Sequence, residues 1–113
     1  MSAARVPTHV MVGALLRGAN DAGGMAMVRA RGDTDAGAVL ILASERGFGM
    51  RALERGVDAN GRDGLIVTGP VGADASKLED YWQRRRARDP DLWVIELDIA
   101  QAERFAAQIM GFN

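Results

Sequence analysis

Four aspartates sit in two turn-like segments: Asp33 and Asp35 in Gly32-Asp33-Thr34-Asp35-Ala36-Gly37, and Asp89 and Asp91 around Pro90. Carboxylates are hard oxygen ligands, so four of them brought together would hold a divalent cation and support metal-dependent chemistry. Each pair also has a simpler role. Aspartate is favoured in turns because its side chain accepts hydrogen bonds from nearby backbone N–H groups, and Asp89 or Asp91 can pair with an arginine. Turn chemistry is the stronger reading; a metal-dependent enzyme using Asp33, Asp35, Asp89 and Asp91 is the weaker alternative. The single histidine, His9, lies beside an expected helix cap and no motif ties a serine to it, while cysteine is absent. A nucleophile–base pair and a two-histidine or thiolate metal site are therefore unsupported, so no catalytic residue is assigned and no cofactor or metal is expected.

The second cluster is Arg84-Arg85-Arg86-Ala87-Arg88 beside Tyr81-Trp82. Arginines for phosphates next to aromatics for base stacking is the pattern of a nucleic-acid surface. Helix geometry weakens it. Stepping about 100° per residue from Arg84 puts Arg85 near 100°, Arg86 near 200° and Arg88 near 40°, which is not one stripe. Tyr81, Leu78 and Trp82 fall at about 60°, 120° and 160°, facing the core. Arg85 lies inside that sector, so its guanidinium needs a carboxylate or backbone carbonyls, and Asp91, Asp33 and Asp35 are the expected carboxylate partners. Arg86 is expected to point to solvent. Cations in a last helical turn also match the helix dipole, so a solvated helix end is preferred to a nucleic-acid patch.

Two glycine-rich segments fail as ligand loops. Gly69-Pro70-Val71-Gly72-Ala73-Asp74-Ala75-Ser76-Lys77 lacks a glycine before the lysine and places Asp74 where an anion would sit. Counting from Asp58, a calcium loop would need glycine at Asp63 and glutamate at Gly69, so Asp58–Gly64 reads as a hairpin turn. The remaining candidate binding positions are Arg29, Arg31, Asp33, Asp35, Arg85 and Asp91.

With 113 residues, 48% hydrophobic and 26% charged, the chain has the composition of one globular domain spanning residues 1–113. A net charge of −1 denies it the basic field of a non-specific nucleic-acid binder. Thirteen of the 14 basic residues are arginine, which fits a GC-rich coding bias as well as function. No apolar run approaches the length of a bilayer span, no secretory signal is readable from Met1 to Val10, and the lack of cysteine fits a cytoplasmic protein.

Behind these residues the pattern predicts eight elements. Val10, Met11, Ala14 and Leu15 mark a helical face with Thr8 as N-cap. Met25–Arg31 alternates as a strand, and Ala38–Ala43 is a continuous aliphatic run, the mark of a central strand buried on both faces. Met50–Gly56 and Leu65–Thr68 are weaker strands joined through Asn60-Gly61. A helix starts near Asp74, with Ser76 and Glu79 at capping-box spacing, and runs to Arg88. Leu92–Asp98 is a strand with Trp93, Ile95 and Leu97 on one face. Ala102, Phe105, Ala106 and Ile109 mark a last helix capped by Asp98 and closed by Gly111. The order α-β-β-β-β-α-β-α predicts an α+β fold, a mainly antiparallel sheet of about five strands with helices packed on one face. Leu40, Ile41, Leu42, Trp93, Ile95, Leu97, Phe105 and Ile109 are its expected core.

The segments Arg29-Ala30-Arg31-Gly32-Asp33-Thr34-Asp35-Ala36-Gly37-Ala38-Val39-Leu40 and Asp89-Pro90-Asp91-Leu92-Trp93-Val94-Ile95-Glu96 occur together, with Ala14-Leu15-Leu16-Arg17 ahead of them and Tyr81 between. This combination resembles a family of short, uncharacterised bacterial proteins known only as a domain of unknown function. The similarity covers both ends of the chain and lapses over residues 44–72. It implies a compact single domain and carries no activity, cofactor or catalytic residue. The function reading is therefore a small cytoplasmic binding or protein-interaction domain, pairing with itself through an exposed sheet edge. Nucleic-acid binding through Arg84–Arg88 is the first alternative and the four-aspartate metalloenzyme the second.

Overall fold

The computed structural model describes residues 6–72 and 74–112; the reading of Met1 to Arg5 as free of a leader lies outside them. In chain order the elements are α1 (Thr8–Asp21), β1 (Met25–Ala30), β2 (Val39–Glu45), β3 (Phe48–Val57), β4 (Asp63–Thr68), α2 (Ala75–Arg88), β5 (Trp93–Asp98) and α3 (Ala102–Ile109). Five strands form one sheet in the order β1-β5-β2-β3-β4. Three ladders are antiparallel, and β2 runs parallel to β5 with Ile41 opposite Ile95. The α+β class and the element order are those expected.

Strands consecutive in sequence do not all pair. β1 and β2 follow each other in sequence, yet β5 lies between them, so Gly32–Gly37 is a crossing connection and not a hairpin turn. The burial patterns explain why. Val39–Ser44 are all buried, as are Trp93–Ile95 and Leu97, whereas every second residue of β1 is exposed. Strands apolar on both faces take central places, and the half-polar strand is left at the edge.

The same double-sided burial corrects the layering: the helices lie on both faces of the sheet. Val39, Ile41, Ala43, Trp93, Ile95 and Leu97 pack with Val12, Leu15 and Ala19 of α1 and Ala102 and Ala106 of α3. Leu40, Leu42, Leu92, Val94 and Ala52 pack against Leu78 and Trp82 of α2 on the opposite face. The single expected core is thus two, and Phe105 and Ile109 are half-buried at the rim of the first. Gly18 lets Phe105 approach α1, since a Cβ there would stand 3.0 Å from the ring.

All three expected caps differ from the observed ones. Pro7 takes the N-cap place of α1, and the Thr8 hydroxyl donates instead to the Gly37 carbonyl at 2.9 Å. The buried face of α1 is Thr8, Val12, Leu15 and Ala19, and Val10 is exposed. Asp74 caps α2 by accepting from the Lys77 N–H at 2.9 Å, so Ser76 and Glu79 form no capping box. Asp98 is drawn to the β2–β3 turn, where its carboxylate accepts the Arg46 and Gly47 N–H groups at 2.6 and 2.8 Å. Both turn residues have positive φ, a conformation that leaves their N–H groups in need of a partner. Glu45 accepts the Ala102 N–H at the start of α3 at 3.0 Å.

The two motif turns meet. Asp33 N–H donates to the Asp91 carbonyl at 3.0 Å, and that carbonyl lies so close to Gly32 and Gly37 that a Cβ on either would collide with it. The Trp93 indole N–H donates to the Asp33 carbonyl at 2.7 Å, and Trp93 N–H to the Ala38 carbonyl at 2.8 Å. Thr8 and His9 N–H groups reach the Asp35 and Thr34 carbonyls at 3.1 and 2.9 Å, so the start of α1 hangs on the same turn.

Gly37→Ala therefore forces backbone against backbone and should cost about 3 kcal/mol or more in chemical denaturation. Gly64→Ala is the control. A Cβ there meets open space, and the change should stay within about 1 kcal/mol of wild type. Equal losses would mean that the junction is not tightly packed.

Candidate functional site

Of the charged residues expected to bind a ligand, Arg29 and Arg85 lie at the seam between α2 and the sheet, and Asp33, Asp35 and Asp91 do not. Arg85 projects from α2 toward β3, where its Nη1 and Nη2 donate to the two Glu54 oxygens at 2.6 and 3.0 Å. Nη1 also donates to the Tyr81 hydroxyl at 2.9 Å, and Thr68 of β4 donates to Glu54 at 2.7 Å. Of the two kinds of partner expected for Arg85, the structure supplies a carboxylate, and it is Glu54 and not Asp91, Asp33 or Asp35. Hydrogen bonds from Arg85 hold the Glu54 carboxyl below its ordinary range, against the opposing effect of burial. A forked, partly buried pair of this kind has its donors and acceptors already occupied.

A second charge group closes the other flank of α2. Arg29 of β1 donates to Glu96 of β5 at 2.9 Å and to Glu79 of α2 at 3.1 Å, and its guanidinium stands 5.6 Å from the Trp82 ring centroid. Arg86 corrects the expectation of a solvent-facing side chain: half-buried, it donates to the Arg31 carbonyl. Its Nε and the Trp82 Nε1 are buried without a hydrogen-bond partner among the described residues. The cause is the position of β1, which lies beyond β5 and rises to meet the side of α2 that a helical wheel assigns to solvent. Arg31 stands over the Trp93 ring at 5.3 Å.

The four aspartates stay in their turns. The Asp33 carboxylate accepts the Asp35 and Ala36 N–H groups at 3.2 and 2.8 Å, and Asp89 accepts the Asp91 N–H at 3.2 Å. Although the main chains of the two turns touch, no group of three or more metal-ligating side chains is assembled among the described residues. Of the arginine cluster, Arg84 and Arg88 remain exposed, while Arg85 and Arg86 are turned inward.

An open groove of about 640 Å³ lies between the β3–β4 hairpin and α3, with Arg51, Arg62, Arg104, Glu103, Leu65 and Phe112 in its lining. Arg51 is already committed to Glu45 at 2.9 Å. No described helix is long and apolar enough to cross a membrane.

Sequence reasoning missed Glu54, Glu79 and Glu96, the acids that neutralise this seam. Glu54 alternates with Ala52 and Gly56 on the α2 face of β3, a signal hidden by the glycines around it. The seam predicts a mutational order. Arg85→Ala strands Glu54 and should cost about 1–3 kcal/mol in chemical denaturation. Arg86→Ala, losing one hydrogen bond to a carbonyl, should cost about 1 kcal/mol. Unchanged midpoints for both would show that α2 is not held by these bonds.

Comparison with known proteins agrees with this geometry. A family model described as protein of unknown function (DUF1491) matches residues 6–107, including the stretch 44–72 where no motif is recognisable. A crystal structure of a DUF1491 family protein from Caulobacter crescentus CB15 is 28% identical, covering 90% of this chain and 94% of that one, with a TM-score of 0.74. An NMR structure of a DUF1491 family protein from the same organism gives 31% identity, 91% and 94% coverage and a TM-score of 0.72. The solution structure of protein Atu0922 from A. tumefaciens shares the fold at 23% identity, with 84% and 86% coverage and a TM-score of 0.67. No curated protein matches. With nearly its whole length matched by the family model, the chain belongs to the DUF1491 family.

Proposed function

We propose that this chain is a single-domain protein-interaction module of a bacterial cytoplasm that pairs with a second copy of itself through β1. The observation that carries the reading is the edge of the sheet. Among the described residues β1 bonds only to β5, so its outer N–H and C=O groups have no strand partner there, and Met25 and Met27 are 38% and 49% exposed on one face of it. Edge strands are usually blunted by lysine, proline or a bulge. In β1 the bulge comes only between Val28 and Ala30, and Arg29 is drawn away to Glu79 and Glu96. The stretch Met25–Val28 therefore carries neither guard.

Two copies of β1 placed antiparallel would extend the sheet across a twofold axis and bring Met25 and Met27 of each copy over the same surface. Methionine suits such a contact, being flexible and apolar. Catalysis finds less support, since the charged side chains of the α2 seam are spent on one another. The cytoplasmic placement rests on the absence of cysteine.

Sedimentation at tens of micromolar protein should give a dimer mass, and Met27→Lys should return a monomer whose circular dichroism matches wild type. A monomeric wild type, or a dimer indifferent to Met27→Lys, would overturn the reading.

A further inference from the structure

The opposite edge of the sheet has a different chemistry. Among the described residues β4 bonds only to β3, which leaves its outer backbone groups without a strand partner as well. Its side chains alternate across the two faces of the sheet. Ile66 lies half-buried toward the α2 face, in the space left by Gly56, where a Cβ would collide with it. Val67 is 44% exposed on the other face, where its partner Leu53 is buried. A bare edge flanked by partly open apolar side chains is the geometry that accepts an added strand, with alternate side chains of the incoming segment finding contacts on each face.

Beside this edge runs one flank of α2. Tyr81 locates it: the ring lies against Gly69, immediately after β4, and would clash with a Cβ there. On the same flank, Lys77, Arg84 and Arg88 are spaced seven and four residues apart, within about 40° of one another around the helix. All three are exposed, and none forms an ion pair among the described residues. Two exposed acids border them, Asp80 and the capping Asp74, and Asp63 begins β4. Glu54, the acid between α2 and β4, is neutralised by Arg85. The flank is therefore cationic beside an unpaired strand edge.

From this juxtaposition we infer a second docking surface, the edge of β4 together with Lys77, Arg84 and Arg88, whose occupant is an extended acidic peptide segment of a partner protein. The peptide adds a strand to β4, places apolar side chains against Ile66 or Val67, and directs carboxylates to the α2 cations. An acidic peptide fits better than a nucleic acid because the chain as a whole carries a net charge of −1 and the cationic strip is narrow. This goes beyond the β1 reading and does not depend on it.

The test uses the full chain and a labelled peptide of about eight alternating valines and glutamates, followed by fluorescence anisotropy at low and physiological salt. Salt-sensitive binding is expected, weakened about tenfold or more by R84E/R88E and to a smaller degree by R84A/R88A. Circular dichroism of both variants should match wild type, since neither side chain has a partner to lose. Amide hydrogen exchange should show new protection at Leu65–Thr68 when peptide is added. Four results would overturn the proposal: no binding, equal binding of a valine–lysine peptide, new protection at β1 in place of β4, or tighter binding of a single-stranded oligonucleotide through the same arginines. Repeating the titration on Met27→Lys separates the two surfaces. Peptide binding that survives there while the wild type proves monomeric would remove the β1 reading and leave this one standing.

Discussion

The Asp91 carbonyl, seated against the Cα atoms of Gly32 and Gly37, is the contact on which the rest of the chain is arranged. It fixes the start of β5 beside the start of β2, and the parallel register from Val39 opposite Trp93 to Ser44 opposite Asp98 follows from that placement. The Trp93 indole bond to Asp33 locks the largest fully buried side chain into the same joint. Because Thr8 and His9 also bond to this turn, α1 is aimed along the sheet from its first residues. Any side chain at Gly32 or Gly37 would push the two segments apart, and a long-range parallel pairing has no local hydrogen bonds to restore it.

α2 is attached by different physics. Only Leu78 and Trp82 of its 14 residues are buried, half as many as in α1. Charged side chains supply the rest, with Arg85 on one flank and Glu79 on the other reaching partners on β3 and β1. Partly buried pairs of this kind fix geometry more than they add stability, since desolvation offsets much of the Coulomb gain. The consequence is a helix held in one orientation, with Lys77, Arg84 and Arg88 left facing water on the β4 side.

The most legible parts of the sequence were those governed by local pattern. The aliphatic run Ala38–Ala43 announces a central strand, Leu92–Asp98 reads as a strand, and helical angles correctly bury Leu78 and Trp82 and demand a partner for Arg85. Pairing was less legible because it is decided at long range: Glu54 lies 31 residues from Arg85, in a strand diluted by glycine. The two-faced layering was implicit in Leu40 and Leu42 alternating with Val39 and Ile41, but helix order alone does not say which face each helix takes. Asp33 and Asp89, conspicuous as metal ligands, proved to be turn residues, and the glycines beside Asp33 carry the constraint.

Hydrogen exchange of the two tryptophan indoles, resolved by NMR, tests the junction most directly. Trp93 Nε1–H, bonded to the Asp33 carbonyl inside the joint, should exchange only through global unfolding, at the rate of the slowest amides of β2 and β5. Exchange of Trp93 Nε1–H as fast as the exposed turn amides of Asn60 to Arg62 would contradict it, because the joint would then open without the sheet and could not be what positions β5.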